Sequence, residues 1–338
     1  MVSNSSSRLT FFSELGSREL QALVADGAVI EHLSALQASV SLAVLDHSPE
    51  RAEVVRLLNQ AGIPVTAWLL LPKEEGYFFN VDSPAGAVQS YAEFKEWTAQ
   101  HQLAWAGVGL DIEPDIRDLS GLASGGRLWL LRTLPRRWLD YARVRRAQIA
   151  YAALVAQIRA DGYGVESYQF PFIADERRAG STLLQRLFRI VEIPVDREIL
   201  MLYTSFWAEL GPAMLWSYGR EAQAIAVGIT GPGVESEGIA KVRPLDWEEF
   251  ARDLSLARRC TTDISVYSLE GCVRQGFLPR LKSLDWTHQI EPPAETVKRM
   301  ERLRRAAQAI LWMDAHPTLV LGALVVLLWL FKRPSFKH

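Results

Sequence analysis

The stretch GVGLDIEPD, Gly107 to Asp115, sets three carboxylates at alternate positions directly after an apolar run. In a β-strand, residues two apart share a face. Asp111 and Glu113 therefore point one way, with Gly107 and Gly109 preceding them on that face, while Leu110 and Ile112 point the other way. Pro114 disfavours helix at Glu113 and keeps the chain extended there. Burying two close carboxylates is costly unless they are paired or one of them holds a proton. A carboxyl that keeps its proton near neutral pH is what general acid catalysis requires.

Carboxylates do such work when a scaffold aims them at one point, and the rest of the chain is patterned for such a scaffold. Eight apolar runs alternate with helical patterns: 8–12, 39–46, 64–71, 104–113, 166–172, 198–206, 222–230 and 263–269. Near-continuous apolar strands separated by helices argue a parallel sheet covered by helices. Eight such units over this length predict a (β/α)8 TIM barrel, whose active sites lie at the C-terminal ends of the strands. A doubly wound open sheet is the other arrangement considered. It usually carries a Gly-rich turn after its first strand, and no GxGxxG occurs here.

Other strand ends add candidates for substrate binding: Asp46 after the second strand, Tyr168 and Gln169 on the fifth, and Tyr203 and Trp207 at the sixth. Glu270, after the eighth, is a carboxylate from a different strand, as a two-carboxylate mechanism wants. Asp115 completes the alternating set. The aromatic loop 72–84 after the third strand is placed to line a groove.

The run GLDIEPD resembles the fourth-strand signature of family-18-like glycoside hydrolases, DGxDxDxE, and MLYT, Met201 to Thr204, resembles their sixth-strand MxYD. The two motifs occur in the right order with one strand between. The resemblance implies a (β/α)8 barrel acting on a carbohydrate or glycoconjugate. It gives Glu113 the role of general acid, Asp111 that of its partner, and Tyr203 that of a substrate-orienting residue. Gly109 stands where the family has an earlier Asp, and Thr204 where it has an Asp after the Tyr. Two other readings are carried beside this one. Asp46, Asp111, Glu113 and Glu270 are oxygen ligands of the kind a metal-dependent barrel isomerase or phosphodiesterase uses. The third reading is a barrel that binds a glycan without cleaving it. Of the histidines, only His47 lies at an expected strand end, so the sequence itself predicts no metal site and requires no cofactor.

Composition narrows the rest. The 338 residues are 49% hydrophobic and 22% charged, with a formal net charge of -2. No global basic field recruits nucleic acid. Two cysteines, Cys260 and Cys272, form no CxxC pair or Cys/His cluster. The expected organisation is a barrel over 1–288, a linker over 289–296, a basic amphipathic helix over 297–316 and an apolar segment over 317–331. That last run, PTLVLGALVVLLWLF, is uncharged, and Lys298, Arg299, Arg302, Arg304 and Arg305 precede it. The pattern predicts a membrane-associated protein with a single-pass C-terminal anchor touching membrane lipids. The positive flank then places the barrel on the cytoplasmic side. A basic helix packed on the barrel with its charged face in solvent is the other reading. A second basic stretch, 127–146, suits either lipid headgroups or a solvated helix.

Overall fold

Alternation within each strand sorts the side chains. On Arg8–Ser13 (β1), Leu9 and Phe11 join the layer under the helices, while Phe12 joins a separate cluster inside the sheet with Ala43, Trp68, Tyr168, Ile199, Met201, Ala224, Ala226 and Tyr267. The same parity runs through Ser39–Val44 (β2), Val65–Leu69 (β3), Gly107–Asp111 (β4), Val165–Gln169 (β5), Arg197–Met201 (β6), Ala224–Gly228 (β7) and Asp263–Tyr267 (β8). All eight pair in parallel, each with its sequence neighbour, and β8 closes on β1 through registers such as Phe12 opposite Tyr267. The molecule is a (β/α)8 TIM barrel. The computed structural model describes residues 8–118, 134–231, 242–286, 288 and 290–331. Part of the basic stretch 127–146 lies outside them. Its described part includes the helix Tyr141–Ala160, and Arg137 pairs with Asp118 at 2.7 Å.

The floor of the barrel is polar and closed. Tyr168 crosses the interior, its hydroxyl 2.6 Å from Ser41 Oγ and 2.8 Å from Glu166 Oε1. Glu166 in turn pairs with Arg197, which reaches Asp263 at 3.1 Å. Room for the Tyr168 ring comes from Gly109. A Cβ there would collide with the phenol oxygen and sit 2.7 Å from Cζ. Gly109→Ala is therefore expected to displace Tyr168 from both hydrogen bonds and destabilise the barrel by about 1–3 kcal/mol, the usual cost of overpacking. Thermal denaturation beside Gly162→Ala checks the claim. Gly162 has open space around its Cβ position but a φ of +93°, so any loss there reflects backbone strain alone, and an equal loss at both sites would discard the collision.

The helix Ala294–Ala315 belongs to the outer layer of the barrel. Arg304, 6% exposed, donates to Asp175, 1% exposed, at 2.6 and 3.0 Å and to the Ser217 carbonyl at 2.7 Å. The Arg304 guanidinium lies 3.8 Å from the Tyr218 ring centre, and the Tyr218 hydroxyl donates to Asp175 at 2.6 Å. One residue before the end of the helix, Asp314 pairs with the fully buried Arg186 and accepts from Ser181 at 2.8 Å.

This arrangement corrects the expected membrane localisation. No single helix among the described residues is long and apolar enough to cross a membrane. The helices Ala294–Ala315 and Pro317–Trp329 meet the criteria only as a pair, and that pair is bent by 95°. The physical reasons are length and charge. Fifteen helical residues rise only ~22 Å, against a hydrocarbon core of ~30 Å. The residues that would extend the run include Asp314, which pairs with Arg186 on the barrel. The single-pass anchor and the cytoplasmic orientation derived from it are withdrawn. The helix Pro317–Phe331 does leave Leu321, Val325 and Leu328 exposed, an uncovered apolar surface.

Candidate active site

Four side chains beyond the C-terminal ends of different strands meet at the mouth of the barrel. Glu14 follows β1, Glu113 follows β4, Tyr203 follows β6, and Glu270 opens the helix Leu269–Arg274 after β8. Asp111, the last residue of β4, lies just below them.

The β4 extension is held by the loop after β3. Phe79 N–H donates to the Asp111 carbonyl at 2.9 Å, and Glu113 N–H donates to the Phe79 carbonyl at 3.2 Å. On the other side Ile112 N–H donates to the Tyr168 carbonyl at 3.2 Å. These bonds continue the pleat two residues past the strand and keep Glu113 on the inward face that Asp111 occupies.

The two carboxylates have different surroundings. Asp111 is 2% exposed; its Oδ2 accepts from Trp68 Nε1 at 3.0 Å and its Oδ1 has no partner. Burial, with the charges of Glu113 and Glu14 adding to it, pushes its pKa well above the usual carboxylate range against the Trp68 hydrogen bond. Glu113 is half-buried, and among the described residues no side chain hydrogen-bonds to its carboxyl group. Burial and the neighbouring Glu14 push it up to about 8. Tyr203 is also raised, by burial and by the charges of Glu113, Asp111 and Glu14. Its ring packs against Tyr267 with centroids 5.9 Å apart.

The other residues singled out in the sequence fall elsewhere. Asp46 accepts from Ser17 at 2.6 Å and pairs with the fully buried Arg51 at 3.1 Å. Burial would raise its pKa, but the hydrogen bonds from Arg51, Ser17 and Ser48 hold it well below the ordinary value. Asp115 is held by the exposed Arg117. Tyr168 lies in the barrel floor. Gln169 has the opposite parity and donates to the Val191 carbonyl at 3.2 Å, under the helices. Trp207, 39% exposed, and Phe206 stand beside Tyr203 in the turn after β6. Glu270 accepts from Glu14 N–H at 3.4 Å, its Oε2 has no partner, and burial raises its pKa.

Glu14 and Tyr267 escaped the sequence reading, and Tyr77 entered it only as part of the aromatic loop 72–84. Glu14 accepts from the hydroxyls of Tyr77 and Tyr267, one on each oxygen. Burial lifts its pKa to about 7 against those two hydrogen bonds. The signal for Glu14 was available: it lies two positions beyond Phe12 and so shares the inward face of β1. Tyr77 carried no such signal, because its direction depends on the loop conformation. Among the described residues, no three His, Cys, Asp or Glu side chains are arranged to hold a metal ion. His47, the histidine at a strand end, packs on Trp97 with centroids 5.4 Å apart.

A parallel barrel with a carboxylate cluster at the C-terminal mouth is thus what the fold and site define. The sequence matches no described protein family, and no curated protein is recognisably related to it. Solved structures with a similar chain path include ScGas2 in complex with compound 8, at 11% identity over 77% of this chain and 55% of that one, with a TM-score of 0.40. The pneumococcal virulence factor StrH, in a study of N-glycan recognition and hydrolysis, matches at 8% identity over 93% of this chain and 97% of that one, with a TM-score of 0.44. An L-ribulose 3-epimerase matches at 12% identity over 99% and 100%, with a TM-score of 0.41. A glycan hydrolase and a sugar epimerase therefore both stand among the neighbours, and the likeness is one of fold.

Proposed function

We propose that the barrel hydrolyses a glycosidic bond, with Glu113 as general acid, Asp111 as its partner and Tyr203 orienting the substrate. The observation that carries this reading is the pair at the end of β4. Asp111 is almost fully buried, and Glu113, half-buried beyond it, has no hydrogen-bond donor among the described residues. A carboxyl so placed keeps its proton near neutral pH and can hand it to a leaving oxygen. Trp207 and Phe206 offer apolar faces for a sugar ring beside Tyr203. A panel of chromogenic glycosides, tested on wild type and Glu113→Gln, decides the reading. If no glycoside is turned over, or if the variant matches wild type on glycosides whose leaving group needs a proton, the proposal fails.

Tyr203→Phe removes one hydroxyl from the mouth and leaves the ring packing. A lost hydrogen bond to a charged or polarised group is worth about 1.5–3 kcal/mol. The expected loss in kcat/KM is therefore about tenfold to a hundredfold. An orienting role predicts a fall in kcat as well as a rise in KM. A change in KM alone would reduce Tyr203 to a ground-state contact.

A further inference from the structure

We propose that Glu14, anchored by the hydroxyls of Tyr77 and Tyr267, is the catalytic base of this site, the carboxylate that activates the attacking water. The assignment rests on the glycoside-hydrolase reading above and deepens it.

Glu14 and Glu113 are the carboxylates of the mouth with the most contrasted surroundings. Both are half-buried, so both have surface open to a ligand, whereas Asp111 is closed off below them. Glu113 has no donor, which favours the protonated form. Glu14 receives a phenolic proton on each oxygen, which favours the ionised form. Burial raises both carboxyls, and the two phenolic donors keep Glu14 the lower of the pair, so Glu14 is the first to ionise and Glu113 the last to give up its proton.

The anchoring is built with some effort. Tyr77 has φ +68°, a left-handed conformation rare for a bulky side chain. The loop fixes it there: Leu71 N–H donates to the Tyr77 carbonyl at 2.8 Å, and Tyr77 N–H to the Pro72 carbonyl at 3.3 Å. A rare backbone conformation held in place at a cleft points to a functional role. Here its effect is to turn the phenol onto Glu14. Tyr267 comes from β8, where its ring packs on Phe12, Trp68 and Tyr203 with centroids 6.4, 6.4 and 5.9 Å away. Tyr77 and Tyr267 are positioning residues. The charged groups facing Glu14 are Glu270, Asp111 and Glu113, together with Lys73, whose ammonium lies 5.6 Å from the Tyr77 ring centre.

The reaction balances without a further reagent. The Glu113 carboxyl gives its proton to the glycosidic oxygen. The bond from that oxygen to the anomeric carbon breaks, and the electron pair leaves with the alcohol. Water bonds to the anomeric carbon and loses one proton to Glu14. One water is consumed, and solvent exchange returns the proton from Glu14 to Glu113.

Leaving-group dependence separates the two roles. On a 2,4-dinitrophenyl glycoside, whose leaving group needs no proton, Glu113→Gln is expected to stay within about tenfold of wild type, while Glu14→Gln falls at least about a hundredfold. Formate is expected to restore part of the activity of Glu14→Ala, and the first-formed sugar should have the inverted anomeric configuration. Tyr77→Phe combined with Tyr267→Phe removes both donors, so the acid limb of kcat/KM should move to higher pH. A Glu14→Gln variant as fast as wild type on the activated substrate, with Glu113→Gln behaving as an acid variant, overturns the Glu14 assignment and leaves the glycosidase reading standing. A product of retained configuration also overturns the assignment to a base. If Glu113→Gln matches wild type on every substrate, the underlying reading falls, and this assignment falls with it. The melting temperature of Glu14→Gln guards against misfolding: the amide oxygen still accepts from one phenol while the other loses its acceptor, so a modest drop is expected and a cooperative transition is retained.

Discussion

Glu113→Gln is expected to lower kcat by about 10²–10⁴-fold on a glycoside with a poor leaving group, the range associated with loss of one positioned general acid. The amide keeps the shape and loses the proton. Glu113 is held at about 8 by burial and by the charge of Glu14, so the wild-type protein keeps the Glu113 proton up to that pH. Activity should fall above about pH 8, and the residual activity of the variant should lack that limb. A stability measurement gives an independent check. The folded pKa of Glu113 lies above its unfolded value of 4.5, so the folded state binds a proton that the unfolded chain releases. The stabilisation from that proton is complete below about pH 4.5 and is lost as pH rises through about 8. Glutamine never ionises. The variant should therefore match wild type at pH 4 and melt higher at pH 9, by an amount corresponding to up to a few kcal/mol. A variant that melts lower at pH 9 would mean that the Glu113 carboxylate is stabilised in the fold, contrary to its observed surroundings.

The strands were legible because burial on both faces writes apolar runs, and parity then assigns Asp111 and Glu113 to one face. Gln169 stood among the candidates because residue type was weighed there without face. Tyr168 occupies the inward face and Gln169 the outward one, where it bonds Val191. Asp46 looked like a strand-end acid, yet its partner Arg51 lies five residues on, in the helix that follows, and is fully buried. Glu14 is a single acid after FFS, with no repeated spacing to mark it, although its distance from Phe12 fixes its face. Tyr77 was hidden more deeply, because a left-handed residue inside a loop cannot be read from hydrophobic pattern. The C-terminal misreading has the same origin. A helix rich in Lys and Arg reads as solvated or lipid-facing, and Arg304 was grouped with its basic face although it lies four residues after Met300 and seven before Leu311, the apolar residues that are buried with it.

That arginine sets the last expectation. Arg304→Ala should destabilise the protein by about 3–5 kcal/mol, the cost of stranding one partner of a buried ion pair. Asp175 would keep its bonds from Tyr218 and Gln308, at 2.6 and 2.7 Å, but would hold an uncompensated charge in the layer between the C-terminal helix and the barrel. The guanidinium also fills the space over the Tyr218 ring, so packing is lost with the charge. For a chain of this size the midpoint should fall by about 4–7 °C. Arg302 is the control: it is exposed on the same helix, and Arg302→Ala should change stability by no more than about 0.5 kcal/mol. Asp175→Asn should be milder than Arg304→Ala, since the amide oxygen can still accept from Tyr218 and Arg304. Thermal unfolding of the three variants ranks them. If Arg304→Ala and Arg302→Ala melt together, the helix is not clamped to the barrel. If the expected order holds, removing the chain after Glu291 should lower the barrel's midpoint at least as far, because Asp175 and Arg186 would then both lose their buried partners.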